Sequence, residues 1–380
     1  MWDVAVIGAG LSGLSCAQEL SAAGLQVCIL DKSRGLGGRM ATRRVTPGGE
    51  RSQAEQPQAP QIRVDHGLRY WQPRSQSLKS LTAELLSAGV IHPWPVSAYE
   101  ILQREVLTPI ELTEPLYGAA MGMSAIARHL SAGFTLEDNL LTGHRAVNLA
   151  HAGDHWKITC ENGAVTFAKR CAIAIPAAQA ADLLATALSS AAPDISGAIK
   201  QLNTVSYHPC ITVLAGYEPQ QANDMGELNP NGWMVTDKVG TSTDWVGLDS
   251  SKRNGKNPAS SGPVIVIHSK PDFAQQYINA GDLQPAASVL LRASARKIKD
   301  WVARPNWFQI HRWRYAQIDR GHPEAALSVV PSLVCGGDWC TPLKTEGSGT
   351  ESTGTLENID RAYLSGLAMA KALQNKGPTE

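Results

Sequence analysis

The sequence predicts an α/β fold: a discontinuous Rossmann-type nucleotide-binding domain joined to a second domain built on a mixed sheet. Three observations predict it. The first thirty-one residues run strand, glycine turn, helix, strand and acid. Residues 190–325 alternate strand-like segments around one helix, and the chain then returns to strand, loop and helix. A nucleotide domain that begins at residue 1 and resumes near residue 326 must be interrupted by its partner. The expected division is 1–70, 115–190 and 326–380 for the nucleotide domain, with 71–114 and 191–325 forming the other. For 380 residues, about 100–200 per domain agrees with two.

The opening element carries the most chemistry. Residues 4–7 are an apolar strand, and Gly8 makes the tight turn out of it. Gly10 has no side chain, so a pyrophosphate can approach the backbone; Gly13 lets the helix lie close to the strand. Leu11 and Ser12 stand at the helix start, where unpaired N–H groups and a partial positive charge favour an anion. Ala17, Leu20 and Ala23 give the helix its apolar stripe, and Gly24 stops it. Asp31 ends the next apolar strand, at the distance where a carboxylate accepts ribose hydroxyls. A second glycine cluster, Arg34-Gly35-Leu36-Gly37-Gly38-Arg39-Met40, follows at once.

Further along, residues 41–45 and 62–64 read as strands around a polar, Pro/Gly/Gln-rich excursion at 46–61, expected to be flexible. Residues 78–86 and 125–130 are amphipathic helices, the second with Ser124 as its cap. Strands at 146–149, 156–160 and 164–167 form an antiparallel meander turned by Asp154 and Asn162-Gly163. A buried strand at 171–175 stops at Pro176, ahead of an Ala-rich helix at 178–188. The middle region holds strands at 210–217, 233–236, 264–268 and 307–313, a helix at 285–302 and a polar, basic loop at 250–261. A last strand at 328–334, a Gly/Ser/Thr-rich loop at 342–355 and a helix at 357–373 close the chain.

Bulk properties exclude several classes. Thirty-four basic and thirty-four acidic residues leave no net charge, so no long-range field favours nucleic acid or an anionic membrane. No apolar run reaches the roughly 20 residues of a membrane span. The N-terminus lacks the basic leader of a signal peptide, and its apolar residues belong to the nucleotide site. Seven scattered cysteines, an odd number, show neither disulfide framework nor metal-ligand spacing. A cytoplasmic protein with no metal, no nucleic acid and no membrane partner is expected.

Three further features suit a flavin better than an exchanging nicotinamide. Arg34 to Met40, with Lys32 before it, offers flexible backbone and cations to a diphosphate and a ring edge. Asp65-His66-Gly67-Leu68-Arg69-Tyr70-Trp71 is the second. The third is Gly337-Asp338-Trp339, where Asp338 can hydrogen-bond a polyol chain and the helix after it, with Ile359 and Asp360, presents its positive end.

This array resembles the flavin amine oxidase superfamily, and within it the bacterial renalase-like proteins. The residues that carry it are Asp31 to Gly35, Gly37 to Thr42, Asp65-His66-Gly67 with Tyr70, Ala174 to Ala177 with Gln179-Ala180, His311-Arg312-Trp313-Arg314-Tyr315-Ala316, Cys335 to Trp339 and Ile359 to Gly366. Departures are Arg69, where glutamine is usual; Asp360-Arg361 in place of Glu-Gly; and longer loops at 46–61 and 341–356. The resemblance implies a p-hydroxybenzoate hydroxylase-like fold and noncovalent FAD. It implies oxidation of dihydro-NAD(P) isomers to NAD(P)+ by hydride transfer to flavin, with O2 reoxidising the flavin to give H2O2. The partners implied are thus a small dinucleotide substrate and O2. Hydride transfer needs orientation rather than a strong base, so no catalytic acid or base is named. A flavin amine oxidase or desaturase-like dehydrogenase is the alternative within the class; a non-catalytic binding protein of the same fold, such as a Rab GDP-dissociation inhibitor, is the alternative outside it.

Individual residues keep two readings. Trp313 is a pocket wall beside the flavin by resemblance, or a core aromatic. Tyr70 lines the same cavity or is structural. His208 contacts substrate or merely enters a strand. Arg312 and Arg314 face away from Trp313 and serve either an ion pair or a dinucleotide phosphate. Lys252, Arg253 and Lys256 receive phosphates or sit on a solvated loop. Cys340 reads as a plain thiol rather than a flavin link.

Overall fold

The computed structural model describes residues 1–46, 61–103, 106–189, 195–257, 262–340 and 355–374. The strands are β1 (Trp2–Ile7), β2 (Val27–Asp31), β3 (Thr42–Val45), β4 (Ile62–Asp65), β5 (His92–Pro93), β6 (Ser97–Ile101), β7 (Leu107–Ile110), β8 (Tyr117–Gly118), β9 (Leu140–Thr142), β10 (Ala146–Ala152), β11 (His155–Cys160), β12 (Val165–Ile173), β13 (Ser206–Gly216), β14 (Trp233–Asp237), β15 (Thr243–Leu248), β16 (Val264–Ser269), β17 (Trp307–Arg320), β18 (Leu327–Val330) and β19 (Leu333–Cys335). The helices are α1 (Leu11–Ala22), α2 (Gln76–Ser87), α3 (Ser124–Leu130), α4 (Ala177–Ala185), α5 (Ser196–Leu202), α6 (Pro271–Tyr277), α7 (Gln284–Lys297) and α8 (Thr355–Gln374).

The first sheet runs β10-β11-β12-β1-β2-β9, with β19 on β12 and β18 on β19. Its centre, β12-β1-β2-β9, is parallel. Side chains alternate across a strand, and here both faces are buried. Val4 and Val6 join a core with Leu14 and Leu20 of α1, Ile126 of α3 and Met369 of α8. Ala5 and Ile7 join the opposite core with Leu184 of α4 and Leu202 of α5. That double burial is why β1 and β2 read as unbroken apolar runs.

The sequence reading split residues 164–175 into two strands; the structure has one. β12 pairs antiparallel with β11 at Val165–Ala168, then runs parallel to β1 and β19 from there to Ile173. One strand thereby finishes the meander and enters the parallel sheet. The segment from Trp71 to Ile91, expected in the second domain, packs in the first core beside α1 and α8. Ile195 to Val205, also expected there, packs under β1 and β2. Ser124 is not a cap: it is the first residue of α3, and the end is served by Thr42 Oγ1, which accepts from Ser124 N (3.1 Å), and by Asp65 Oδ1, which accepts from Met123 N (2.9 Å). The excursion at 46–61 and the loop at 342–355 lie almost wholly outside the described residues.

The second sheet runs β17-β13-β16-β15-β14-β6-β7 and is antiparallel except where β14 meets β6. One face packs on α6 and α7. The other carries Leu214, Trp245 and Val266 against Val45, Ile62 and Val64 of the β3–β4 ribbon.

A buried ionic knot fastens that ribbon to the second sheet. Arg253 donates to Asp65 Oδ2 (2.7 Å), to Asp249, and to the carbonyls of Ala119 (2.8 Å) and Arg63 (3.1 Å). Lys252 pairs with Asp249 Oδ1 (2.6 Å) and Asp65 (3.4 Å) and donates to the Arg69 carbonyl (2.9 Å). Both cations are 1% exposed, which rules out the solvated-loop and phosphate readings for them; Lys256 is exposed. Flanking cations and hydrogen bonds from Thr42 and Met123 overcome burial and pull the Asp65 carboxyl down to about 2. Substituting Arg253→Met leaves two buried carboxylates to share the Lys252 ammonium. The expected cost is about 3–5 kcal/mol, measured as a fall in the urea midpoint at constant m.

Candidate functional site

A cavity of about 1320 Å³ runs from the first β-α turn to the edge of the second sheet. At its near end Gly8 adopts φ +110°, and a Cβ there would meet the Ala174 carbonyl at 2.5 Å. A Cβ on Gly13 would sit 1.8 Å from the Gly8 carbonyl, so Gly13 sets the helix–strand approach. Gly10 differs: a Cβ on it would touch nothing within 4 Å, because it faces the open cavity. The α1 N-terminus has no side-chain cap and no acid in its first turn, leaving donors directed at that space.

Asp31 is held rigidly. Its Oδ2 accepts from Ala9 N and its Oδ1 from Ser33 N, each at 2.7 Å, and each oxygen keeps a lone pair for a further donor. The second glycine turn lies against the first: Gly37 (φ +106°) and Gly38 (φ +55°) are left-handed, and a Cβ on Gly38 would be 3.6 Å from Gly10 Cα. Arg39 makes a bidentate pair with Asp338, at 2.5 and 2.6 Å, and reaches the Tyr315 and Ala316 carbonyls of β17 (3.3 and 3.4 Å). Two residues 299 positions apart thus close one wall.

Gly8, Gly10, Leu11, Ser12, Asp31, Lys32, Arg34, Gly38, Arg39, Met40, Trp313, Asp338 and Ile359 all border the cavity. Four predicted site residues do not. Gly13 acts through packing. Asp360 turns away and accepts from Arg74 N (3.0 Å) and Ser75 N (2.7 Å), pinning α8 to the start of α2. Tyr70 stacks on Trp94 at 6.3 Å behind the wall. His208 is 45% exposed beside Asp319 on the outer part of β13. Its neighbourhood in sequence gave no sign of which way it would face.

Trp313 stands at the far end, its Nε1 donating to the His66 carbonyl (2.9 Å). Its ring lies 4.3 Å from His311 and 5.2 Å from His66. Gly67 permits this closeness: a Cβ there would sit 2.1 Å from the Arg39 carbonyl and 3.1 Å from the Trp313 ring. Among the described residues Arg312 and Arg314 form no ion pair; they donate to Ile278 and Ala280 carbonyls and to Asn279 Oδ1 after α6.

Sequence reasoning missed the imidazoles as a group. His66, His268 and His311 converge beside Trp313 and Cys210. His66 and His311 lie within motifs that were noticed, but His268 has no local signal. Burial, then the neighbouring His311, pushes His66 down to about 3; burial and Arg43 push His311 to about 4. Burial keeps the Cys210 thiol protonated. Cys340 is buried off the cavity, its thiol raised to about 12. Among the described residues no cluster has the makings of a metal site and no helix is long and apolar enough to cross a membrane.

Comparison with known proteins places this geometry. Residues 6–85 match an NAD(P)-binding Rossmann-like domain, and residues 74–374 match the flavin containing amine oxidoreductase family. The chain belongs to that family. Solved structures of similar fold include a cofactor-binding redesign of putrescine oxidase (TM-score 0.67, 12% identity, 99% of both chains) and cyclohexylamine oxidase from Brevibacterium oxydans IH-35A (0.65, 12%, 98% of this chain and 100% of that one). A putative protoporphyrinogen oxidase from Exiguobacterium sp. 255-15 is equally similar (0.67, 12%, 97% and 98%). As a family member the protein is a flavin-dependent oxidoreductase. The residues present fit a flavin dinucleotide: the uncapped α1 donors and the open face of Gly10 would take a diphosphate, and Arg39 with Asp338 could hold its polyol or ring edge.

Two outcomes follow. Gly10→Val fills cavity, not core, so the variant should unfold at the parent's temperature without ligand yet purify without flavin absorbance. Neutral, buried His66 and His311 protonate more readily when unfolded. Stability should therefore fall as pH drops from about 6.5 toward 4, by up to about 1.4 kcal/mol per pH unit for each group. A His66→Gln/His311→Gln variant should show a shallower dependence in thermal melts across that window.

Proposed function

We propose that the protein holds FAD noncovalently and oxidises dihydro-isomers of NAD(P) to NAD(P)+, with O2 as electron acceptor and H2O2 as second product. One proton is consumed as the substrate's hydride and a further proton end up in peroxide. A bound flavin supplies the hydride acceptor. The chain's own residues supply binding and orientation.

The observation that carries this reading is the charge of the lining. Lys32, Arg34, Arg43, Arg44, Arg128, Arg145, Arg312 and Arg314 border the cavity, against carboxylates only at Asp31, Asp182 and Asp338 among the described residues. Asp338 is already paired with Arg39, and the imidazoles beside Trp313 stay neutral. An FAD diphosphate leaves basic side chains over, and the phosphates of a second dinucleotide match them. An ammonium substrate would meet Arg43 and, among the described residues, no free carboxylate lining the cavity near Trp313. Amine oxidation is the second reading, favoured by the aromatic wall of Trp313, His66 and His311, which also suits a small cyclic amine. Cys340 is buried off the cavity, and the Cys210 thiol that borders it is kept protonated by burial, which supports noncovalent binding. Seven free, buried cysteines support a reducing, cytoplasmic setting.

Anaerobic mixing separates the readings. Dihydro-NAD isomers should bleach the flavin absorbance rapidly, whereas putrescine and cyclohexylamine should not. Bleaching by amines alone overturns the proposal, and a colourless protein that takes up no FAD overturns every oxidase reading. Arg43→Ala should raise KM for the dinucleotide about tenfold, the loss of one charge-assisted contact, with kcat little changed.

A further inference from the structure

We infer that Arg69 acts through His268 to fix a hydrogen-bond donor at the Trp313 end of the cavity, where it selects a ligand carrying a carbonyl-type acceptor. Arg69 is one of the residues that depart from the resemblance described above. A guanidinium is always charged and only donates. Arg69 Nε donates to His268 Nδ1 at 3.0 Å, so that nitrogen keeps its lone pair. The single proton of the neutral ring must then sit on Nε2. His268 is 5% exposed and borders the cavity, and its Nε2 has no partner in hydrogen-bond geometry among the described residues. The His66 carbonyl, which accepts from Trp313, lies near the ring but out of hydrogen-bond geometry with Nε2. A buried donor without a partner is rare in native proteins and is explained most simply by a ligand atom.

Arg69 is itself held from three sides. Its guanidinium pairs with Asp244 and lies 5.2 Å over the Trp245 ring, while its carbonyl accepts from Lys252. The groups facing His268 from the packed elements are Arg69 and His66 of the turn after β4, Lys252 after β15, Trp245 of β15, and Thr212 and Cys210 of β13. A second proton on the ring would place an imidazolium against two buried cations. Burial and those cations hold its protonation well below the usual histidine range. His268 therefore remains a donor across neutral pH and offers no acceptor to an ammonium group. On the reading that the substrate is a dihydronicotinamide, the matching acceptor is the carboxamide oxygen of its ring.

The tautomer is testable in the FAD-loaded enzyme without any substrate. In 15N-histidine-labelled protein, long-range 1H–15N spectra should show His268, assigned by its loss in His268→Gln, protonated at Nε2 and not titrating between pH 5 and 9. Arg69→Leu should give mixed tautomers or a titrating ring, and Arg69→Lys, which keeps a donor, should restore the parent pattern. An Nδ1–H form, or titration in the parent enzyme, overturns the inference whether or not Arg69→Leu folds. Nicotinamide binding, followed by perturbation of the flavin spectrum, should weaken about tenfold in His268→Phe while benzylamine binding does not; unchanged nicotinamide binding also overturns it. Failure of the dihydro-NAD reading would leave the tautomer result standing, so the two failures are distinguishable.

Discussion

The geometry of the cavity depends on one carboxylate, Asp65. It ends β4, accepts from Thr42 Oγ1 at 2.6 Å and from Met123 N, and receives Arg253 from the second sheet's side. Four stretches of chain far apart in sequence meet at that group. The next residues, His66 and Gly67, form the cavity wall that touches Trp313 and the Arg39 carbonyl. Burial alone would force Asp65 to neutralise; paired cations and hydrogen bonds keep it ionised. An apolar replacement could hold the parts together, but it would not dictate their angles. Charge-assisted hydrogen bonds to several partners do.

Arg39 and Asp338 play the corresponding part at the other wall. The glycine turn that delivers Arg39 and the strand end that delivers Asp338 are each short and mobile by composition. Joined by a bidentate pair and by the β17 carbonyls, they become a fixed edge. The remaining lining is then free to be basic. Those charges repel one another, and Arg128 shows it: burial and the nearby Arg44 and Arg63 make its charged form less favourable. Such a surface holds unfavourable energy until an anion arrives, which is how a site prefers phosphate-bearing ligands.

Much of this was legible. The first β-α-β unit was readable because each glycine answers a local demand: Gly8 a left-handed turn, Gly13 a helix–strand approach too close for any Cβ, Gly10 an open face. Asp31, Arg39 and Asp338 stood at strand ends or glycine turns, where a side chain has few directions to take. Less was legible where direction depends on distant partners. Asp360 reads like a residue facing the cofactor yet binds the backbone of Arg74 and Ser75. Lys252 and Arg253 read as a solvated run yet are buried, because their carboxylate partner Asp65 lies 188 residues from Arg253. His268 gave no signal at all, since what makes it chemical is an arginine 199 residues away.

The sequence by itself determined the nucleotide-binding turn and the α/β class, because these rest on backbone conformation and on periodicities within a few tens of residues; the flavin family followed from a resemblance of motifs spread along the chain. Only the tertiary structure decided which imidazoles share the cavity, which tautomer His268 takes, and which charged residues are knots rather than ligand contacts. Those properties are set by burial and by pairing between distant segments, and neither the local dielectric nor the partner of a charge is written in the residues beside it.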